Sequence, residues 1–267
     1  MSSHRTLLQK FTTPFGDIPY TTTLVAGAVV WACVLALWAV ASYGKFVSDI
    51  FLPVPDAVLM RGYTMVEDGT LFVHIWASVK VVLLGFFISA AVAVPLGLYV
   101  GTYRIVQSAL EPLVNFIRYL PVTSLVPLFI LWIGIGIGQK VTVIFFGTFF
   151  QQLVMIADEA RGVSRDLVNA SYTLGTKRNK IVWQVIFPAT LPGVLSILRV
   201  TMGWAWTYLV VAELVAANSG LGFISLKAMR GFQVDTIFLA IALIGLLGMI
   251  SDITFRLLRK WATPWAD

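Results

Sequence analysis

The sequence predicts an all-α protein that crosses a membrane several times. Hydrophobic residues make up 58% of its 267 residues and charged residues 12%, which is about half the charged share of a typical soluble domain. Five windows contain no Asp, Glu, Lys or Arg, namely residues 18–44, 81–103, 119–139, 141–157 and 236–251. Four of them reach the roughly 17–25 residues that a spanning helix requires, and the last does so once its apolar flanks are counted.

We predict one spanning helix for each window and a further one, fifth in chain order, that contains Arg199 and Glu213. The third helix contains Pro121 and Pro127, and we expect a kink or a break there because proline lacks a backbone N–H. The six predicted helices are Thr22–Tyr43, Val73–Tyr99, Leu113–Ile133, Val141–Ala157, Gly193–Ala216 and Ile237–Leu257.

The first helix is predicted to be retained rather than cleaved as a signal peptide. Ala39-Val40-Ala41 is similar to a signal-peptidase site, but the apolar run before it is too long. The polar lead of about 20 residues is also too extended for a signal peptide. Cys33 is the only cysteine, so it forms no disulfide within the chain, and we expect a buried, unreactive thiol.

The basic residues predict which side of the membrane each loop occupies, because Lys and Arg are enriched in cytoplasmic segments. With the N-terminus inside, the inner segments and span ends hold 12 basic residues and the outer segments five, so both termini are predicted to be cytoplasmic. Basic residues at anionic headgroups explain the net charge of +6 without a nucleic-acid partner. The predicted regions are a cytoplasmic N-terminal segment (1–21), a transmembrane domain (22–258) with a periplasmic loop (44–72) and a cytoplasmic loop (158–192), and a cytoplasmic tail (259–267).

The sequence of the predicted cytoplasmic loop, residues 158–192, indicates two short helices joined by a tight turn. Ser164 can cap the first helix, which we expect to end at Gly175, since glycine readily adopts the left-handed conformation that closes many helices. Thr176 can cap the second, and Pro188 and Pro192 are expected to end it before the fifth span. One apolar face of the second helix is marked at helical spacing by Ile181, Val182, Val185 and Ile186. A polar, helix-forming loop between spans suggests contact with a soluble partner. The alternative is an interfacial hairpin without a partner.

This loop resembles the signature loop of permease subunits of bacterial ABC importers. The family pattern is E-A-A, three residues, Gly, nine residues and I-x-L-P, and here it stands as Asn169-Ala170-Ser171, Gly175 and then Val185-Ile186-Phe187-Pro188. Asn169 replaces the acidic residue and Ser171 the second alanine, whereas the spacing, the glycine and the proline agree. The resemblance implies that the loop grips an ATPase subunit. The residues implied in this coupling are Asn169, Ala170, Ser171, Tyr172, Leu174, Gly175, Thr176 and Pro188.

A wider resemblance extends from Leu52 to Arg256 and narrows the branch of the family. The matching segments are similar to nitrate, sulfonate, taurine and bicarbonate permeases of the binding-protein-dependent transport inner membrane component family. They are Pro95-Leu96-Gly97-Leu98, Pro127-Leu128, the run from Leu131 to Gly136, Ala212-Glu213, and the run from Ser219 to Phe223.

The resemblance implies a type I ABC importer fold in a bacterial inner membrane, in which two permease subunits form the pathway. A homodimer is expected, although a paralogous second subunit is the alternative. Two ATP-binding cassette subunits inside and a soluble substrate-binding protein outside are the other implied partners. The implied substrate is a small anion of the nitrate, bicarbonate, sulfonate or taurine class, while related permeases carry heterocycles.

Four residues of the fifth helix are candidates for the substrate pathway. Arg199, Trp206 and Glu213 recur every seven residues, which at about 100° per residue falls only about 20° short of two turns. Gly203 lies close to the same stripe. Ionisable residues inside membranes usually face a protein interior or a wet cavity, so the stripe is expected to face the pathway. Alternatively, the charges extend to headgroups or pair with neighbouring helices.

Other functional classes receive less support from the sequence. It contains no phosphate-binding G-x-x-x-x-G-K-[ST] motif, so a separate subunit is expected to hydrolyse ATP. With two histidines and one cysteine, we predict no metal site, and no cofactor or catalytic residue is assigned. A stand-alone secondary transporter or channel is the main alternative, but it would more often show paired inverted halves. A membrane enzyme would need convergent catalytic side chains.

Overall fold

A computed structural model describes residues 19–215 and 217–266, and within these ranges the chain is helical and contains no β-strand. Residues 1–18 of the predicted N-terminal segment lie outside the described ranges. Five helices are long and apolar enough to span a membrane, and a bent helix pair adds a sixth if it is one span. The predicted all-α class with about six spans is therefore confirmed. The chain divides into two compact units, one up to Met60 and one from Arg61 onward.

The first unit consists mainly of helix α1 (Tyr20–Tyr43), which is apolar and exposed over almost its whole circumference. A helix that is apolar on every face is typical of one surrounded by lipid. Cys33 is exposed on α1, so the expectation of a buried thiol is wrong. The physical reason is that a lipid-facing helix exposes apolar residues that a soluble protein would bury.

Two hydrogen bonds fix the segment that follows α1. The Trp38 indole N–H donates to the Pro53 carbonyl at 3.0 Å, and the Tyr43 hydroxyl donates to Asp56 Oδ1 at 2.6 Å. Asp56 lies in the first turn of helix α2 (Pro55–Glu67), where a negative charge complements the helix dipole.

The second unit is built around three long helices, α3, α6 and α8, and a fourth, α10, packs mainly on α8. The long helices start earlier or end later than predicted by several residues, because their ends carry polar residues that a hydropathy window excludes. Shorter helices connect them. The bounds are α2 Pro55–Glu67, α3 Thr70–Thr102, α4 Arg104–Ile117, α5 Val122–Ile133, α6 Ile137–Arg161, α7 Arg165–Thr173, α8 Phe187–Leu214, α9 Leu221–Arg230 and α10 Val234–Ala262.

Helices α3 and α6 pack closely along small residues of α3. A Cβ added to Gly97 would lie 2.9 Å from Ile156 Cβ, a separation too short for ordinary packing. Ala93 on the same ridge is fully buried beside Leu153. Small residues let membrane helices approach each other's backbones, where dispersion forces act best. The Gly97 contact fixes the relative position of α3 and α6.

A buried polar triad joins α3, α6 and α8 in the middle of this unit. The Ser89 hydroxyl donates to Gln152 Oε1 at 2.7 Å, and Gln152 Nε2–H donates to Thr201 Oγ1 at 3.2 Å. All three side chains are fully buried. Each group has a partner, so the triad links the helices without leaving an unpaired polar group in apolar surroundings.

The third predicted helix contains the break that we expected near its prolines. The structure has two helices, α4 and α5, bent by 96° at a short break. Pro121 stands at the break as the residue before α5. Its ring removes a backbone N–H and disfavours a helical conformation for Leu120, so the break has a local cause. Pro127 lies inside α5 without breaking it.

The start of the fifth predicted helix also differs. We expected Pro188 and Pro192 to end a preceding helix, but both lie within α8, which begins at Phe187 after a π-helical turn (Val182–Ile186). Pro188 is tolerated because N–H groups of a first helical turn need no partner within the helix. Membrane helices accommodate a proline such as Pro192 through local widening of the helix, and the π-helical turn immediately before α8 is widened in this way. The segment between α6 and α8, residues 162–186, is called the elbow below. It runs directly into α8.

Candidate functional site

The first arm of the predicted cytoplasmic loop is helix α7. Its N-terminus is capped by Ser164, whose hydroxyl accepts a hydrogen bond from the Asp166 N–H at 3.2 Å. The helix ends before Gly175, which has a φ of +91°. The predicted cap and the predicted glycine turn are both confirmed. Asn169, Ala170, Ser171 and Tyr172 lie on α7, and Leu174 follows its last residue.

The second arm is not the single capped helix that we expected. The Thr176 N–H donates to the Ser171 carbonyl at 3.0 Å, so Thr176 closes the turn instead of capping a helix. A short 3₁₀ turn, Arg178–Lys180, follows and leads into the π-helical turn. Tight and wide turns replace a regular α-helix here because the arm bends within a few residues to join α8.

The second arm is inserted into the membrane bundle. Ile181, Val182 and Ile186 are buried in one apolar cluster with Leu98 of α3 and Ile156 of α6. This is the apolar face that the sequence predicted for the second arm. The arm is therefore packed against two of the long helices before it continues into the third.

An aromatic group at the end of α3 strengthens this junction. The rings of Tyr99 and Tyr103 stack with centroids 5.9 Å apart. The Trp183 indole N–H donates to the Tyr99 hydroxyl at 3.2 Å, and the Tyr103 hydroxyl donates to the Arg178 carbonyl at 3.3 Å. Burial, together with the neighbouring Tyr172 and Tyr99 hydroxyls, raises the pKa of the Tyr103 phenol, so it stays protonated as a donor. Sequence analysis missed this group, although the spacing of Tyr99 and Tyr103 places them on one helix face.

The tip of the loop exposes apolar side chains. Leu174 is 88% exposed, and Leu167 and Tyr172 are also exposed. One side of α7 borders an open cleft of about 560 Å³ that is lined by Leu167, Leu174 and Pro188, among others. Large apolar side chains gathered on an otherwise polar loop are typical of surfaces that contact another protein or a membrane.

The other side of α7 borders a polar cleft of about 840 Å³. Arg104, Arg161 and Arg165 line it together with Asn169. Arg161 forms an ion pair with Asp158 on the preceding turn of α6. The two clefts give α7 one apolar flank and one basic flank, and Asn169 lies on the basic one.

Arg199 of the predicted stripe faces α10. Its guanidinium forms a bidentate ion pair with Asp252, in which the second contact measures 3.1 Å. Arg256 contacts the same carboxylate at 2.7 Å. About two turns further along α8, the Trp206 indole N–H donates to the Ser251 hydroxyl at 3.1 Å, and Trp206 is buried.

Glu213 lies at the other end of α8 and is only 1% exposed. Its carboxylate accepts hydrogen bonds from the Ser78 hydroxyl at 2.8 Å and from the Gly222 N–H at 2.7 Å. Both charges of the stripe thus pair with neighbouring elements, the alternative considered above. Gly203, in contrast, is exposed and has open space beside its Cα. A pathway role for these four residues stays a prediction.

Comparison with known proteins identifies the class of protein to which this chain belongs. Residues 93–264 match the family described as binding-protein-dependent transport system inner membrane component. A probable ABC transporter permease protein of Brucella abortus is 38% identical over 218 residues, which are 82% of this chain and 87% of the relative. The taurine transport system permease protein of Escherichia coli is 30% identical over 239 residues, 88% of this chain and 87% of the relative. A putative aliphatic sulfonates transport permease protein of Bacillus subtilis is 30% identical over 241 residues, 90% and 87% respectively.

The chain belongs to this family of membrane components of ABC transporters. Its fold is also similar to that of a solved structure, an inward-facing conformation of the MetNI methionine ABC transporter. The TM-score is 0.57 at 20% sequence identity, with 71% of this chain and 96% of that chain covered. The family resemblance drawn from the loop is confirmed, and the fold is that of a type I ABC importer permease. The chain is therefore a multi-pass component of the inner membrane.

Proposed function

We propose that this chain is the permease subunit of an ATP-driven importer and that, with a second copy, it forms an alternating-access pathway for a sulfonate-type anion such as taurine. Coupling to an ATPase subunit is inferred from the elbow, because its exposed tip at Leu174 is joined to a deeply buried second arm. The substrate class follows relatives named for taurine and aliphatic sulfonates. The domain layout and the cytoplasmic termini predicted above are part of the proposal.

The elbow connects the proposed docking surface to the membrane helices through its buried second arm. Its second arm packs against α3 and α6 and continues directly into α8. A displacement of the tip by a moving partner is therefore transmitted to three long helices together. Rigid-body tilting of packed helices about such an element is a common way to alternate access.

The ATPase partner is proposed to sit on the tip and on both flanks of α7. Apolar contact comes from Leu167, Tyr172 and Leu174, while the basic flank offers Arg165 and Asn169. ATP hydrolysis is assigned to this partner, because the chain has no phosphate-binding loop motif. A soluble binding protein is proposed to deliver substrate to the outer segments, residues 44–72 and 218–235.

The second permease copy is proposed to cover the open face of α8. This face includes Val200, Gly203, Trp204 and Thr207, all exposed at helical spacing. Arg199 and Gly203 would border the pathway directly. Trp206 and Glu213 would support it by fixing α8 against its neighbours.

Substitution at the elbow tip tests the coupling part of the proposal. Leu174→Asp places a charge in the proposed apolar contact, so the permease should insert normally but lose most of the co-purifying ATPase subunit. The matched control is Leu59→Asp, which alters another exposed leucine, 74% exposed, on the outer side in the proposed topology. The control should retain the ATPase. Retention by Leu174→Asp as well, or ATP-independent uptake by the permease alone, would refute the proposed function.

A further inference from the structure

The segment Ser219–Gly222, which leads from the end of α8 into α9, is held by side chains of several helices. His74 of α3 accepts a hydrogen bond through Nδ1 from the Gly220 N–H at 3.1 Å. Lys140 of α6 donates through Nζ to the Ser219 carbonyl at 3.4 Å. A short loop is thus tied to two separate helices through its own backbone.

Ser78 and Glu213 bind the next two backbone groups. The Leu221 N–H donates to Ser78 Oγ at 2.8 Å, and the Gly222 N–H donates to Glu213 Oε2 at 2.7 Å. Ser78 Oγ in turn donates to Glu213 Oε1 at 2.8 Å. Both carboxylate oxygens are therefore used. Glu213 Oε2 and Ser78 Oγ accept from N–H groups at the start of α9 that have no partner within the helix. The negative charge also complements the positive end of the α9 dipole.

The backbone fits closely around the carboxylate. Gly220 has a φ of +125°, and a Cβ there would overlap the Glu213 carboxylate. A Cβ on Gly222 would lie 2.9 Å from Glu213 Cβ. Glycine at these two positions lets the loop approach the carboxylate this closely.

We propose that Glu213 is a positioning residue rather than a substrate contact. Together with Ser78 it forms a latch, which is the set of hydrogen bonds that holds the start of α9 against the ends of α3 and α8. Its carboxylate is buried and both oxygens are engaged within the chain, so it offers no open acceptor to a passing anion. The inference rests on the proposed function, because it assigns the latch to the outer side of an importer permease.

The latch determines where α9 lies against its neighbours. Leu221 and Ile224 of α9 are buried against Ala240 of α10, with Ile75 of α3 packed at the edge of the cluster. These apolar contacts fix the face of α9, while the latch fixes its N-terminal end. Without the latch, α9 should separate from α3 more often and expose its buried face.

Cysteine labelling measures this separation directly and does not depend on transport. Cys33→Ser gives a background without cysteine, since the chain has only one. Ala228→Cys then reports on the buried face of α9, where Ala228 is 2% exposed. Lys227→Cys, the exposed neighbouring position, is the matched reporter. A hydrophilic maleimide is added to the full-length protein in membranes opened so that both faces are reachable.

Glu213→Ala should raise the labelling rate of Ala228→Cys about tenfold and leave that of Lys227→Cys unchanged. Glu213→Gln keeps the side-chain shape and one acceptor, so its effect should be intermediate, and Ser78→Ala should also raise the rate. If Glu213→Ala fails to accumulate, these two milder variants decide the question. Unchanged labelling of Ala228→Cys in the variants that insert would overturn the latch.

Uptake in the assembled importer separates a positioning role from a pathway role. Glu213→Gln should lower the uptake of two alkanesulfonates of different length by the same factor, because a positioning residue touches neither. A changed ratio between the two would place Glu213 in the pathway and overturn the inference. If the unaltered importer transports neither, the proposed function fails, but the labelling result still decides the latch.

Discussion

Arg199 forms an ion pair within the chain and is also proposed to border the substrate pathway. Its partner Asp252 is shared with Arg256, so two guanidinium groups meet one carboxylate and, among the described residues, the group carries a net positive charge. Arg199 is also half-exposed on α8. A partly open, net positive group on the proposed pathway side is suited to attract an anion, whereas a fully paired one would not be.

A charge exchange between Arg199 and Asp252 tests which of the two roles matters. Arg199→Leu should reduce anion uptake about tenfold, which corresponds to about 1.4 kcal/mol of barrier height, while membrane insertion stays normal. The combined change Arg199→Asp and Asp252→Arg restores the ion pair but moves the positive charge to α10. Uptake should stay low in this double variant if the position of the charge serves the substrate.

Uptake of a radiolabelled sulfonate by reconstituted importer provides the measurement. Asp252→Asn is the control, since it removes the carboxylate and keeps both arginines. Full recovery of uptake in the exchanged variant would show that Arg199 acts only through its ion pair. Normal uptake by Arg199→Leu would remove it from the pathway altogether.

At the scale of elements, the elbow shows what local sequence can and cannot predict. Ser164 and Gly175 act within their own few residues through a side-chain cap and a positive φ, so their roles were predicted correctly. The second arm was predicted wrongly because its shape depends on distant packing. Ile181 and Val182 are drawn into a cluster with α3 and α6, and this burial favours a bent path over the regular helix that their spacing suggested.

The turn glycine provides a prediction for the elbow as an element. A Cβ on Gly175 would meet no atom within 4 Å, yet the residue has a φ of +91°. Gly175→Ala therefore costs backbone strain alone, of roughly 1–2 kcal/mol. We expect the turn to relax and the tip to shift, so that ATPase stimulation by the loaded binding protein falls several-fold while the permease still inserts.

The matched control is Gly162→Ala in the same loop, because Gly162 has a φ of −70° that any residue can adopt. Stimulated ATPase activity of the assembled importer should be nearly unchanged by this substitution. Gly175→Glu adds bulk and charge at the turn and should uncouple more strongly than Gly175→Ala. Full coupling in Gly175→Glu would contradict the docking role of the elbow.

At the scale of the molecule, the sequence predicted the number of long helices but not their partners. Hydropathy depends only on composition within a window, so the spans could be predicted, including the proline break near Pro121. The pairing of Glu213 with Ser78 joins residues 135 positions apart, and no spacing rule connects them. Arg199 and Glu213 were predicted to share one stripe of α8, but only packing shows that Arg199 pairs with α10 and that Glu213 is bonded to α3 and α9.

The open face of α8 gives the last prediction, which concerns the assembly. In a symmetric dimer, a residue near the two-fold axis lies close to its own copy. With the α8 face turned toward the second copy, Thr207→Cys in the Cys33→Ser background should be linked efficiently by a short bifunctional maleimide. Ile250→Cys on α10 is also exposed in the single chain but is expected to face lipid, so it should remain monomeric under the same treatment. Gel mobility after crosslinking in membranes measures both, and efficient linkage through Ile250 but not Thr207 would place the second copy on α10 instead.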